Sequence, residues 1–356
     1  MKPAHIGLRV NNLYIMKLFY IRVLGFRERY VYKSINTPGL ETVFLTRGSL
    51  GLELLWYRDA PAAPNGSHLA LYAKNVDRAA VRLRNLGVDI LKGPMTTGDG
   101  CRELEFTDPE GNSIELSRRM GPPPRYPVKA VIFDLDGTVI DSEDNYHEAD
   151  RLLLSHYGIE FTREMKSGFI GMGNYSMMEK MKRMYNLPDT IEQMAEVKNK
   201  IYLELALKGT RIFHGMFKLI KKLHAVKMPM ALATGSSPAV MNKLISLLDL
   251  GRYFRVRLSA DEVGKSKPEP KLFLETAKRL GVDPYNCVVI EDSKFGVEAA
   301  ARARMRCIAV PSVVESPPAE AFFTADLYFK KGMRAFNYRK TYRWIMRRSR
   351  YGNLKY

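Results

Sequence analysis

Across residues 1–118 the apolar positions switch between period two and the 3.6-residue period of an amphipathic helix, and they do so twice in the same order. HIGLRV (5–10) reads as a strand, and Asn12–Leu24 as a helix stopped by Gly25. Phe26–Lys33, Glu41–Arg47 and Gly51–Trp56 read as three further strands. The order then restarts with HLALYAKN (68–75) as a strand and Val76–Leu86 as a helix ending at Gly87. Strands near Val88–Lys92, Arg102–Thr107 and Ser113–Ser117 complete the second round. This pattern predicts two βαβββ modules with a period of about 60 residues.

From Val128 the texture changes. Ala130–Phe133, Pro229–Ala233 and Cys287–Ile290 are apolar throughout, as expected of parallel strands buried on both faces. Tyr146–Tyr157, Asn174–Tyr185 and Ile191–Leu207 carry helical spacing. Between the two textures lies MGPPPRYP (120–127), whose consecutive prolines can continue neither a helix nor a central strand. The predicted organisation is an α+β domain of paired βαβββ modules over 1–119 and a Pro-rich linker over 120–127. An α/β Rossmann-like domain follows over 128–346, with a helical insertion at about 142–217, and then a basic tail over 347–356.

Composition narrows the class. The chain has 356 residues, of which 46% are hydrophobic and 26% charged, which excludes disorder throughout. No apolar run of about 18 residues occurs, so no membrane span is expected. The first residues lack the apolar stretch of a signal peptide. Cys101, Cys287 and Cys307 are widely spaced and odd in number, which points to buried thiols in a reducing cytoplasm. The net charge of +18 is unevenly spread, because residues 327–356 hold 10 basic and no acidic side chains. With no nucleic-acid module elsewhere, that end is expected to be a closing helix with a solvated terminus, and nucleic acid is not an expected partner.

Polar residues in the paired modules recur in register. Each first strand begins with a histidine (His5, His68) and each last strand holds a glutamate (Glu53, Glu115), 48 and 47 residues further on. A carboxylate inside an apolar strand is expensive to bury unless it is paired or metal-bound. Two His and two Glu suit Zn²⁺, Ni²⁺ or a similar divalent ion. HIGLRV, the LGF turn at 24–26, LELL, HLALYAKN and FTDPEGNSIEL resemble the vicinal-oxygen-chelate family, and glyoxalase I within it. The resemblance covers 1–118. It implies a metal held by His5, Glu53, His68 and Glu115, with Glu115 moving a proton between adjacent substrate carbons. It also implies that Arg9 meets the carboxylate of a thiol cofactor such as glutathione. Tyr57 stands where many relatives have an Asn on the same cofactor. Epimerase-like chemistry on a CoA conjugate, or a domain that only binds or dimerises, are the alternatives, and a homodimer is compatible with either.

In the second domain, carboxylates gather at predicted strand ends: Asp134 and Asp136 after the first, Glu291 and Asp292 after the last. Thr234 and Lys267 join them. Such a cluster calls for a cation, with Mg²⁺ matching oxygen ligands. FDLDGTVIDSE, ALATGSS, GKSKPEPKLF and VVIEDSKFGVEAA resemble the four ordered motifs of the haloacid dehalogenase superfamily, over roughly 128–346. That resemblance implies Asp134 as nucleophile and Asp136 as acid and base. It places Thr234 and Lys267 on the phosphoryl oxygens, helped by Gly235 and Ser236. Asp134, Asp136, Glu291 and Asp292 would hold Mg²⁺. The helical insertion resembles the cap of the superfamily's first subclass, with Gly171 and Asn174 of FIGMGN facing the substrate. The expected activity is hydrolysis of a small phosphorylated metabolite, such as a sugar phosphate. Absence of Arg from 168–182 argues for a phosphatase over a phosphomutase, which remains the alternative.

Overall fold

The computed structural model describes residues 2–22, 25–58, 68–107, 113–120, 126–167, 169 and 174–349. The chain forms two compact units, Met1–Arg125 and Tyr126–Tyr356. Residues 121–125 of the proline-rich segment lie outside the described residues.

The first unit runs β1 (Lys2–Arg9), α1 (Leu13–Arg22), β2 (Arg27–Lys33), β3 (Leu40–Arg47) and β4 (Leu50–Tyr57). It then repeats as β5 (His68–Tyr72), α2 (Val76–Asn85), β6 (Ile90–Thr96), β7 (Cys101–Thr107) and β8 (Ser113–Arg119). The eight strands form one mixed sheet in the order β2-β3-β4-β1-β5-β8-β7-β6. Each module contributes four neighbouring strands, and the two halves meet where β1 and β5 pair antiparallel. Leu13, Leu45, Leu52 and Leu54 build the core of the first module, and Val76, Ala80, Leu104 and Leu116 that of the second. The Asn75 side chain caps α2 by accepting from the Arg78 amide, satisfying a donor left free at the helix start.

The second unit opens with β9 (Ala130–Phe133) and the short β10 (Ile140–Asp141). Four helices follow: α3 (Glu143–Ser155), α4 (Arg163–Ser167), α5 (Asn174–Tyr185) and α6 (Ile191–Gly209). The chain returns through β11 (Arg211–Ile212), which pairs with β10 at the base of this helical excursion. Next come α7 (His214–Ala225), β12 (Met230–Thr234), α8 (Pro238–Leu247), β13 (Val256–Ser259), α9 (Ala260–Val263) and α10 (Lys271–Leu280). The unit closes with β14 (Cys287–Glu291), α11 (Lys294–Arg302), β15 (Arg306–Ala309), β16 (Leu327–Tyr328) and α12 (Tyr338–Arg347).

Six parallel strands order as β13-β12-β9-β14-β15-β16. The unbroken apolar character of β9 has a plain cause. Val131 and Phe133 enter one core layer, Ala130 and Ile132 the other, and all four are fully buried. The excursion has its own core, in which Met177, Met178 and Met181 fill space beside Leu153, Phe161 and Met194. Met216, Leu219, Ile220 and Leu223 of α7 belong to the main core, as do Ala149 of α3 and Tyr202 and Ala206 of α6. All three cysteines are buried and unbridged. No helix among the described residues is long and apolar enough to cross a membrane.

Candidate metal centre and phosphoryl-transfer site

Four adjacent central strands of the first unit each present one polar residue: His5 on β1, Glu53 on β4, His68 on β5 and Glu115 on β8. Register explains the convergence. Glu53 stands opposite Gly7 and Glu115 opposite Ala70, in each case two places beyond the histidine. Residues i and i+2 share a strand face, so each His–Glu pair emerges together. Gly7 also makes room for the neighbouring ring, since a Cβ there would lie 2.0 Å from His68 Cε1.

His5 Nε2 lies 3.2 Å from His68 Nε2, 3.1 Å from Glu53 Oε2 and 3.8 Å from Glu115 Oε1. His68 Nε2 lies 3.6 Å from Glu53 Oε2 and 3.6 Å from Glu115 Oε2. Donors bonded to one cation at about 2.0–2.2 Å stand roughly 3–3.6 Å apart, so the spacing suits a single ion. The electrostatics point the same way. Burial, with Glu103 and Glu53 nearby, pushes the Glu115 carboxyl well above its usual range. Burial lowers the His68 imidazole. Glu115 Oε1 is buried with no hydrogen-bond partner among the described residues, and a divalent cation would both satisfy it and offset the two carboxylates. An adjoining cavity of about 270 Å³ is lined by Glu53, Tyr57, His68, Lys92, Glu105 and Glu115. Arg9 is not brought to that wall: its guanidinium lies 4.7 Å above the Tyr57 ring, and Tyr57 faces the cavity.

In the second unit the strand ends meet beside β9, where the strand order reverses direction, the usual ligand crevice of an open α/β sheet. Phe133 is level with Leu232 and Ile290, so Asp134 emerges beside the ends of β12 and β14. Lys267 Nζ donates to Asp134 Oδ1 and to Glu291 Oε1, both at 2.5 Å. Glu291 Oε2 accepts from the Ser293 amide and hydroxyl at 2.7 and 3.0 Å. Glu291 thus holds Lys267 and the turn after β14 while standing in the same carboxylate group as Asp134 and Asp292. Thr138 Oγ1 donates to Asp292 Oδ1 at 3.1 Å. Gly137, at φ +75°, allows this close turn, because a Cβ would fall 2.3 Å from Asp292 Oδ2.

Asp136 is held by three hydroxyls. Thr234 and Ser236 donate to Oδ2 at 2.9 and 2.7 Å, and Tyr202 donates to Oδ1 at 3.2 Å. Tyr202 stacks on Tyr146 with ring centroids 4.0 Å apart. Burial pushes Asp134 and Asp292 well above the usual carboxyl range; Glu291 raises both, while Lys267 pulls Asp134 down. Asp134, Glu291 and Asp292 can bring carboxylate oxygens within 4.8 Å of one another. With a single ammonium beside them, these acids suit a hard divalent ion.

A cavity of about 70 Å³ joins Asp134, Asp136, Ser236 and Asp292 to Lys166 and Lys198 of the helical excursion. Gly235 lines it too; Gly171 lies outside the described residues, and Asn174 is the first residue of α5. Spacing along the sequence did not single out Tyr146, Lys166, Lys198 or Tyr202, because each occupies an ordinary amphipathic helix position. Lys166 and Lys198 share one carboxylate, Asp150, at 2.5 and 2.6 Å, and all three are buried. Burial would raise the Asp150 pKa, but the two ammonium groups outweigh it and hold it below the usual value. A depressed carboxyl pKa adds stability above its unfolded value of about 4, and that stability is lost as pH falls through the folded value. Asp150→Asn removes the carboxylate that both buried ammonium groups share near neutral pH. We expect a loss of about 3–5 kcal/mol, read as a fall in Tm on the order of 10 °C near neutral pH.

The parallel α/β sheet with its helical excursion and clustered carboxylates, and the paired βαβββ modules with their His–Glu cluster, define two units of different classes. Comparison with known proteins agrees. Residues 131–310 match the haloacid dehalogenase-like hydrolase family, and residues 2–116 match the glyoxalase/bleomycin resistance protein/dioxygenase superfamily. The chain belongs to the haloacid dehalogenase-like hydrolases and carries a glyoxalase-type domain in front of that region. It is 32% identical over 180 residues to the fructose-1-phosphate phosphatase of Escherichia coli, covering 51% of this chain and 95% of that one. It is likewise 32% identical to a phosphorylated carbohydrates phosphatase of Thermotoga maritima, covering 49% and 82%. A crystal structure of β-phosphoglucomutase from Clostridium difficile superposes with a TM-score of 0.51 at 25% identity, covering 57% of this chain and 92% of that chain.

Proposed function

We propose that the second unit hydrolyses a small phosphomonoester, of the sugar-phosphate class, through an aspartyl-phosphate. The observation that carries this reading is the Asp134–Lys267 contact at the strand ends, with Asp136 alongside on Thr234 and Ser236. An Asp134 oxygen attacks phosphorus while Asp136 protonates the departing alkoxide. Asp136 then takes a proton from the water that splits the acyl phosphate, restoring Asp134 and releasing phosphate. Lys267 offsets the charge of the nucleophile and of the phosphoryl oxygens. Asp134, Asp292 and the Asp136 carbonyl would hold Mg²⁺, which when bound supplies charge neutralisation at the transferring group. Two of the relatives, the fructose-1-phosphate phosphatase and the phosphorylated carbohydrates phosphatase, act on phosphorylated sugars by name, which supports that substrate class.

For the first unit we propose a Zn²⁺- or Ni²⁺-type centre on His5, Glu53, His68 and Glu115, serving isomerase- or lyase-type proton transfer. A bound cation would polarise neighbouring substrate oxygens, and Glu115 would move the proton. One chain supplies all four residues, so the centre does not depend on a partner copy. A metabolite panel of phosphate esters with Mg²⁺, read by released phosphate, tests the phosphatase; no turnover of any ester would reject it. Interconversion of a sugar phosphate without net phosphate release would establish the phosphomutase alternative. Methylglyoxal with a series of thiols tests the first unit.

A further inference from the structure

The cations of the closing region do not stand alone. α12 packs on α7, and neither helix carries an acidic residue. Together with the residue that ends α12 they present Lys218, Lys221 and Lys222 from one helix and Arg339, Lys340, Arg343, Arg347 and Arg348 from the other. Seven of the eight are exposed, and Lys218 is half-buried. None has a carboxylate partner among the described residues. Elsewhere the helices pair their charges, as in Arg151–Glu148, Arg183–Glu179, Arg279–Glu275 and Arg302–Glu298. The positive heads are also held in place. Lys218 Nζ lies 5.7 Å from the Tyr338 ring centre, Lys222 Nζ 5.4 Å from that of Tyr342, and the Arg348 guanidinium 4.2 Å from that of Trp344. Between the helices, Lys222, Arg339, Tyr342 and Arg343 line a shallow groove. The Tyr338 phenol responds to this field: donation from Arg339, with Arg339, Lys218 and Lys222 nearby, lowers its pKa.

We infer that the α7–α12 face binds a single nucleic-acid strand through its phosphates. Uncompensated cations on one surface release counterions when they meet a phosphate chain, which drives such binding without sequence preference. Half-buried Tyr338 and Tyr342 stand among the cations, and single-stranded sites combine such cations with aromatic rings on which bases stack. A bilayer fits less well, because the apolar side of α12 is spent inside the protein: Thr341, Ile345 and Met346 are buried against the core. α7 lies more than 100 residues before α12 in the chain, so the three cations it adds to this face are not visible in the charge of the C-terminal end.

The test uses the full chain and a fluorescein-labelled 20-nucleotide oligouridylate, followed by anisotropy between 50 and 200 mM salt. We expect binding that weakens linearly on a log–log salt plot. The triple variant Lys222→Ala/Arg339→Ala/Arg343→Ala should weaken it more than tenfold at low salt and reduce the slope by about two. Tm and p-nitrophenyl phosphate hydrolysis should be unchanged in that variant. No binding at 50 mM salt, or equal binding by the triple variant, overturns the inference. Tighter association with phosphatidylserine vesicles than with the oligonucleotide, lost in the same variant, overturns it in favour of a membrane surface.

Discussion

Asp134→Asn is expected to abolish phosphomonoester hydrolysis, with kcat falling by at least about 10⁴-fold, while the fold survives. The side chain is the attacking atom in the proposed reaction, and removal of a nucleophile from a working cluster costs more than removal of any binding contact. A purely structural role for Asp134 predicts a different pair of results. Burial and Glu291 make its charge costly in the folded protein, since they raise its pKa above the unfolded value. An amide of the same shape relieves that cost, so Tm without added metal should hold steady or rise. Released phosphate and a thermal melt on the same preparation check both halves. Activity within tenfold of the parent, or a large fall in Tm, would remove Asp134 from the nucleophile's place.

The second large effect concerns the first unit. Purified protein is expected to carry about one divalent ion at His5, Glu53, His68 and Glu115, measured by elemental analysis, and His68→Ala or Glu115→Gln should empty the site. Loss of an outer partner lowers metal affinity by about 10–100-fold, and loss of a direct ligand should exceed that. Gly7→Ala is the more discriminating variant, because it removes no donor. Its Cβ would meet the His68 ring at 2.0 Å and displace it from the other three groups. We expect metal loss comparable to His68→Ala. Retention of the ion in Gly7→Ala, or metal content independent of all four residues, would reject the centre as drawn.

Much of this was legible in the sequence because both sites lie at strand positions, where period and flanking glycine report local structure directly. The His–Glu recurrence and the four ordered motifs survive as spacing even without coordinates. Residues on helices were less visible. Lys166, Lys198 and Tyr202 reach the second site from α4 and α6, and their spacing cannot be told from that of an ordinary solvated or core face. The same holds for α7, which is as amphipathic as the helices before it and is joined to the main core only by its packing.

The sequence by itself determined the two units, the paired βαβββ modules, the parallel strands and the residue types at each site, since these follow from local periodicity and turn chemistry. Only the tertiary structure decided which groups meet. It set Glu53 opposite Gly7 and Glu115 opposite Ala70, turned Glu291 toward Lys267, tied Asp136 to Tyr202, and laid α7 beside α12. These are contacts between segments far apart in the chain, selected by strand register and by burial of shared apolar faces, and no local pattern records such choices.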